Sequence, residues 1–155
     1  MAGKVILLKE EMVAIDKVAV ILGIQKSWLV GLIQNESSFD PNARNKTTNA
    51  FGLLQWTPPT MNEFFGVTQE IFRNILPTRE KQILHPVKLY LSCFKQFKLD
   101  DSGVSFFMSI FYPKYRNSPM DTQFPIGVRS RNPGIAYVRD YVGKCFKKIN
   151  EVEGY

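Results

Sequence analysis

The sequence predicts a mainly α protein, a single domain over residues 1–155 with about six or seven helices and little or no sheet. Three observations favour this class. Apolar residues recur every three or four positions along most of the chain, as on the buried face of a helix. Residues that begin and end helices stand at the edges of these stretches. Alternating, strand-like patterns are few, and no linker, repeat or low-complexity tract divides the chain.

The first two helices have clear boundaries. Apolar positions from Leu8 to Leu22 keep the helical spacing, and Gly23 suits the position just after a helix end. Ser27 is a plausible N-cap for a second helix over Trp28 to about Glu36. Residues 40–56 are predicted to form a polar loop and then a turn around Gly52.

The rest of the chain continues the helical pattern. A longer helix is predicted from Thr78 to about Phe97, with Pro86 kinking or splitting it. Residues 113–133 are expected to be irregular. The other helices are predicted within 57–66, over 105–112 and over 137–149.

Composition indicates a folded protein that needs no metal or cofactor. Of 155 residues, 45% are hydrophobic and 22% charged, the balance of a globular chain. The two cysteines, Cys93 and Cys145, exclude a disulfide framework and are expected to be core residues. The single histidine, His85, has no nearby Cys with which to bind zinc.

Neither an export signal nor a membrane span is expected. No apolar run approaches the ~18 residues of a membrane helix. The apolar patch at 5–8 is followed at once by Lys9, Glu10 and Glu11, unlike the apolar region of a signal peptide.

The positive charge is concentrated in the second half. The chain carries a net charge of +6, and residues 1–78 are neutral overall. A basic face favours anionic partners such as nucleic acid, a membrane surface or a bacterial cell wall, although it can also be ordinary solvated surface. Because the basic residues are scattered rather than clustered, we expect no nucleic-acid partner.

Glu36 stands out at the end of the second helix. Leu29, Leu32 and Ile33 lie seven, four and three positions earlier, which places the carboxylate on the apolar face. Burial and the negative end of the helix dipole both raise the pKa of a glutamate, and a glutamate held protonated can act as a general acid. The alternative is a frayed helix end with Glu36 in solvent.

Two motifs around Glu36 resemble those of a known family. The segment 36–45 reads ESSFDPNARN, and 50–55 reads AFGLLQ. In order and separation they resemble the ES and GLMQ-type motifs of the lysozyme-like lytic transglycosylases. The resemblance extends over about residues 12–148, including the middle helix at EKQI (80–83) with Tyr90. The segments FYP (111–113) and NPG (132–134) look like the third, tyrosine-containing motif and tail of phage-associated members.

The resemblance implies a role for each matching residue. Glu36 would be the catalytic acid and then base, and Ser37 would fix the helix end. Asn45 would lie near the substrate acetamido group, and Gln55 would contact glycan. Tyr112 would hold Glu36 through its hydroxyl.

The sequence around the two motifs differs from the family pattern at one position and offers no second catalytic carboxylate. Pro113 stands where the family often has Asn, which puts one substrate hydrogen bond in doubt. Phe51 and Trp56 flank the second motif and would either stack on sugar rings or pack in the core. We find no second catalytic carboxylate, because Asp40 precedes a proline outside the helix and the other candidates resemble surface charges: Glu63, Asp100 and Asp101.

One glutamate suffices for the family's reaction. The muramoyl N-acetyl group stabilises the cationic centre, and the sugar's own 6-hydroxyl then attacks C1 to give a 1,6-anhydromuramoyl end. The resemblance therefore implies a peptidoglycan lytic transglycosylase that cleaves between N-acetylmuramic acid and N-acetylglucosamine. If water attacks instead, the same site is a muramidase, as in the goose-type lysozymes that share the fold.

Two other functions stay open at this point, a virion structural protein with the fold but little activity and a small basic nucleic-acid-binding domain. The phage-type motif favours virion proteins or a holin as partners beside the peptidoglycan glycan strands. It also favours a location in the virion, or in the host cytoplasm before delivery to the cell wall.

Overall fold

The computed structural model describes residues 4–93 and 102–155. In chain order its helices are α1 (Lys9–Leu22), α2 (Lys26–Ser37), α3 (Pro58–Phe65), α4 (Gln69–Ile75), α5 (Arg79–Gln82), α6 (Lys88–Ser92), α7 (Val104–Phe111), α8 (Ile126–Arg131) and α9 (Val138–Ile149). Two short strands, β1 (Val5–Ile6) and β2 (Val152–Glu153), pair in parallel, Val5 opposite Val152. The predicted mainly α class is confirmed.

Several helices begin or end at the residues that the sequence predicted. Gly23 ends α1 in the left-handed region at φ 68°. Thr57 and Thr78 cap α3 and α5 by accepting the amide protons of Thr60 and Lys81 through their hydroxyls. The predicted cap at Ser27 is wrong, because α2 already begins at Lys26.

Pro86 changes the helix without ending it. The segment from Arg79 to Ser92 is continuous, but Ile83–Val87 forms a π-helical turn between α5 and α6. A proline cannot supply the amide proton of a regular α-helical turn, and the wider turn accommodates it. The predicted end of this helix near Phe97 lies outside the described residues.

Two short helices, α4 and α8, were not predicted. α8 lies in a segment that was expected to be irregular, and it follows Pro125 without a side-chain cap. α4 is capped by Thr68, whose hydroxyl accepts the amide proton of Ile71 and which lies only two residues after Gly66, the glycine that ends α3. Helices of one or two turns bury too few residues for their apolar spacing to be recognisable.

The buried centre of the domain is α2, which packs closely along α9. Leu29, Val30, Leu32 and Ile33 of α2 are completely buried. At Gly31 the backbone of α9 is so near that a Cβ atom would stand 2.5 Å from the carbonyl oxygen of Cys145. This close approach aligns the end of α2 with the middle of α9.

Candidate active site

Glu36 lies one residue before the end of α2, partly buried, and its carboxylate is held by a tyrosine from α9. The Tyr141 hydroxyl donates a hydrogen bond of 3.0 Å to Oε1 of Glu36. Burial raises the pKa of Glu36, while the Tyr141 hydrogen bond and the positive charge of Lys144 oppose that rise. The net effect is a raised pKa, which is the direction of shift that a general acid requires.

Packing fixes the orientation of Tyr141, and its raised pKa keeps the hydroxyl protonated. Its side chain is buried, and the ring of Phe111 stacks on it with centroids 4.0 Å apart and planes 16° from parallel. Burial first, and then the nearby Glu36 carboxylate, raise the pKa of Tyr141 well above its usual range. The hydroxyl therefore remains a donor to Glu36 at neutral pH.

The predicted partner of Glu36, Tyr112, is wrong. Tyr112 follows α7 and packs edge-on against Tyr115, at 4.8 Å between ring centroids, and against Phe124. The 111–113 segment reaches the site through Phe111 instead. Tyr141 was missed because it lies on the apolar stripe of α9, where its hydroxyl was the single sign of another role. A substrate contact of Tyr112 stays a prediction.

The chain turns sharply away just after Glu36. The Ser37 hydroxyl donates to the carbonyl oxygen of Ile33 at 3.1 Å, and Ser38 and Phe39 adopt left-handed backbone angles of φ 54° and 59°. Arg79 then holds the turn, with Nε donating to the Phe39 carbonyl oxygen at 2.8 Å. These contacts fix the end of α2, and with it the Glu36 carboxyl.

The second motif forms a tight hairpin. Phe51 and Trp56 exchange backbone hydrogen bonds of 2.9 and 3.0 Å, and Gly52 turns with φ 87°. The Gln55 amide nitrogen donates to the carbonyl oxygens of Ala43 at 3.0 Å and Gly52 at 2.9 Å. The amide nitrogen of Gln55 therefore stabilises the hairpin. Its contact with glycan stays a prediction, and the amide oxygen would make that contact.

Phe51 and Trp56 belong to the core. Each is only 2% exposed, and both pack against Phe72, while Trp56 also contacts Phe65 and Tyr90. Buried ring faces cannot stack on a sugar, so their prediction as substrate-binding residues is wrong. The aromatic cluster instead supports the hairpin from below.

Gln82 joins the two motifs, a role that was not predicted although the residue lies in the EKQI segment of the middle helix. It is completely buried, and its Oε1 accepts the amide proton of Leu53 at 3.0 Å. Its Nε2 donates to the carbonyl oxygens of Pro41 at 2.8 Å and Leu76 at 3.1 Å. One side chain thus ties the loop after Glu36 to the hairpin of the second motif.

The other polar residues of the first loop are exposed. The Asn45 side chain accepts the amide protons of Thr47 and Thr48, so its predicted contact with the acetamido group stays a prediction. Asp40 accepts the amide proton of Asn42 in a local turn, and Glu63 is exposed. Neither carboxylate is among the groups that shift the pKa of Glu36. Asp100 and Asp101 lie outside the described residues.

Within residues 4–93 and 102–155, no group of three or more His, Cys, Asp or Glu side chains is close enough to hold a metal ion. No helix in the same ranges has the length and apolar character needed to cross a bilayer.

Part of the chain is similar to a known protein family. The model of the transglycosylase SLT domain matches residues 14–88, just under half of the chain. The resemblance to the lysozyme-like lytic transglycosylases is confirmed. The matched range holds Glu36, the hairpin and Gln82, whereas Tyr141 and Phe111 lie beyond it. No curated protein matches the chain.

Among solved structures, the fold is similar to that of an inactive glutamate-to-glutamine mutant of the lytic transglycosylase Slt from Pseudomonas aeruginosa. The TM-score is 0.50 at 20% identity, over 92% of this chain. The match spans only 25% of that enzyme, so it concerns the fold of one part of a longer protein.

Proposed function

We propose that this protein is a peptidoglycan lytic transglycosylase, with Glu36 as its single acid and base. The observation that carries the proposal is the partly buried Glu36 carboxyl, which lies within the match to the transglycosylase SLT domain and is held by Tyr141 from outside that match. The substrate would be the β-1,4 bond between N-acetylmuramic acid and N-acetylglucosamine. The product would end in a 1,6-anhydromuramoyl residue.

The first step would use the protonated carboxyl that burial favours. Because Tyr141 occupies Oε1, the other carboxyl oxygen is left to give its proton to the glycosidic oxygen. The bond from C1 to that oxygen breaks, and N-acetylglucosamine leaves with the proton. The acetamido group of the muramoyl sugar stabilises the positive charge at C1.

In the second step the Glu36 carboxylate would act as a base. It takes the proton of the muramoyl 6-hydroxyl while that oxygen bonds to C1, which closes the anhydro ring and restores the protonated carboxyl. No water is consumed. The Tyr141 hydrogen bond and the Lys144 charge stabilise the carboxylate between the steps, since both favour the ionised form.

Mass spectrometry of soluble fragments from purified peptidoglycan tests this proposal, with wild type compared to Glu36→Gln. We expect anhydromuramoyl ends from wild type and at least ~10²-fold less release from the variant, because one residue supplies both proton transfers. Reducing muramoyl ends would identify a hydrolytic muramidase at the same site. Release by Glu36→Gln equal to wild type would remove Glu36 from the mechanism.

We also propose a phage setting, on the phage-type segments 111–113 and 132–134. The enzyme would be carried in the virion or reach the wall through a holin. Expression in a bacterial cytoplasm, with and without a co-expressed holin, tests the second route. Lysis only in the presence of the holin would support it, and lysis without a holin would contradict it.

A further inference from the structure

A partly buried tyrosine of α6, Tyr90, lies beside the second motif and has no part in the mechanism above. Its ring packs edge-on against Trp56 of the hairpin, with centroids 6.3 Å apart, and against Phe64 of α3 at 5.1 Å. Trp56 is buried, whereas Tyr90 and Phe64 keep part of their surface exposed. The Tyr90 ring therefore lies between the aromatic core under the hairpin and the surface of the domain.

The wide turn at Pro86 determines the direction in which Tyr90 faces. Each residue of an α-helix turns the chain by about 100°, so a regular helix would place Tyr90 about 80° around the axis from Gln82. The π-helical turn Ile83–Val87 takes up one extra residue, which reduces this offset to about 20°. Tyr90 therefore shares a face with Gln82. Single π-helical turns within α-helices frequently occur at functional sites.

This shared face lies against the hairpin of the second motif. A Cβ atom at Gly52 would stand 3.1 Å from Oε1 of Gln82 and 3.1 Å from the ring of Trp56, so both side chains adjoin the same turn of the hairpin. Tyr90 contacts that Trp56 ring from the helix that also carries Gln82. One helix thus supplies both the amide that joins the two motifs and a phenol next to them.

Tyr90 also lies within the electrostatic reach of the Glu36 carboxyl. Burial first, and then the negative charge of Glu36, raise the pKa of Tyr90. Glu36 has the same effect on the pKa of Tyr141, which reaches it from α9. Two phenols from different helices are therefore near the carboxyl, and the raised pKa keeps the Tyr90 hydroxyl protonated at neutral pH.

We propose that Tyr90 is a substrate-binding residue, whose hydroxyl forms a hydrogen bond with a sugar next to the bond that Glu36 cleaves. The proposal rests on the proposed function. A phenol hydroxyl can both donate and accept, which suits the hydroxyl and acetamido groups of the glycan. Trp56 and Phe64 hold the ring, so little side-chain freedom is lost when the strand binds. Tyr141 acts through Glu36, whereas Tyr90 acts on the glycan itself.

The test measures affinity for a glycan that is not cut. Glu36→Gln is the parent variant, and the ligand is a stem-free tetrasaccharide of alternating N-acetylglucosamine and N-acetylmuramic acid, titrated by calorimetry. We expect Glu36→Gln/Tyr90→Phe to bind it about three- to ten-fold more weakly than Glu36→Gln, as suits the loss of one hydrogen bond. Glu36→Gln/Tyr115→Phe is the matched control and should bind as the parent does, because the Tyr115 hydroxyl donates to the Gln123 carbonyl oxygen at 3.2 Å.

Two further measurements separate contact with substrate from a structural role. Tyr90→Phe keeps the ring, so its Tm should stay within about 2 °C of wild type. It should lower kcat/KM without moving the pH at which kcat/KM falls, because burial, Tyr141 and Lys144 are the causes that shift the pKa of Glu36.

An equal Kd with and without the Tyr90 hydroxyl would overturn the proposal. A larger loss of Tm would assign the effect to folding, and a displaced pH profile would show that Tyr90 acts through Glu36; either result would overturn it as well. If wild type cuts no glycan and Glu36→Gln binds none, the proposed function fails instead.

Discussion

The Tyr141 hydroxyl donates to Oε1 of Glu36 across 3.0 Å, although 105 positions separate the two residues in the chain. Glu36 lies in the last turn of α2, and Tyr141 lies in α9, which packs along it. The Glu36 carboxyl is thus controlled by a residue near the other end of the sequence. Both its orientation and its readiness to ionise depend on how α9 lies against α2.

Removal of the Tyr141 hydroxyl tests this control. Because hydrogen bonds to charged groups are worth about 1.5–3 kcal/mol, we expect Tyr141→Phe to lower kcat roughly 10- to 100-fold. Tyr112→Phe is the matched control, since Tyr112 packs against Tyr115 and Phe124 instead. Initial rates of fragment release measure both. A loss in Tyr112→Phe as large as in Tyr141→Phe would reverse their roles.

The pH dependence of kcat/KM should report the pKa of Glu36. The acid must be protonated at the start, so activity should fall as the pH rises through this pKa, which burial has raised. Lys144→Gln removes a positive charge that favours the carboxylate, so the fall should move to higher pH. Lys81→Gln, which removes one exposed positive charge from α5, is the control. A shift to lower pH in Lys144→Gln would contradict this electrostatic account.

Stability should also depend on Glu36. The pKa of Glu36 is higher in the folded state than in the unfolded state. The free energy of unfolding is therefore highest at low pH and decreases as the pH rises through the folded-state pKa. Glu36→Gln cannot ionise, and it keeps an oxygen for Tyr141. We expect the gain in Tm of Glu36→Gln over wild type to grow with pH above about 4.5. Thermal unfolding from pH 4 to 8 measures it, and a gain that shrinks with rising pH would show the opposite shift.

The contact between α2 and α9 can be tested at Gly31. A Cβ there would stand 2.5 Å from the Cys145 carbonyl oxygen, a backbone atom that cannot move alone. Overpacking costs about 1–3 kcal/mol, so Gly31→Ala should lower Tm by several degrees and reduce activity by displacing Tyr141. A Cβ at Gly143 of α9 meets nothing within 4 Å, so Gly143→Ala should stabilise the helix by up to about 1 kcal/mol. Equal Tm values for the two variants would refute the argument.

The correct predictions from the sequence depended on residues close to one another in the chain. Glu36 was recognisable because Leu29, Leu32 and Ile33 lie within two turns of it on the same helix, and Gly23 and Thr57 mark boundaries through their own backbone preferences. Pro86 indicated an irregular turn in its helix. Whether the helix breaks there or only widens depends on packing against residues distant in sequence. These features follow from periods and caps within a few residues.

The rest depended on contacts between distant segments. Gln82 is an ordinary polar residue in the sequence, and its role exists only because Pro41 and Leu53 converge on it. Tyr141 has the spacing of a core residue and is one, apart from its hydroxyl. Trp56 lies next to a recognisable motif, yet adjacency in sequence does not tell which way a side chain faces.

The parallel pair of β1 and β2 has a consequence for the lifetime of the assembled site. Each strand is only two residues long, so few backbone hydrogen bonds hold the pair together. Glu151, just before β2, accepts a hydrogen bond from Gln34, two residues before Glu36. Fraying of the β1–β2 pair would therefore loosen the hydrogen bond that supports the last turn of α2, where Glu36 lies. Amide hydrogen exchange in β2 and in the last turn of α2 should then rise together, as one cooperative opening unit.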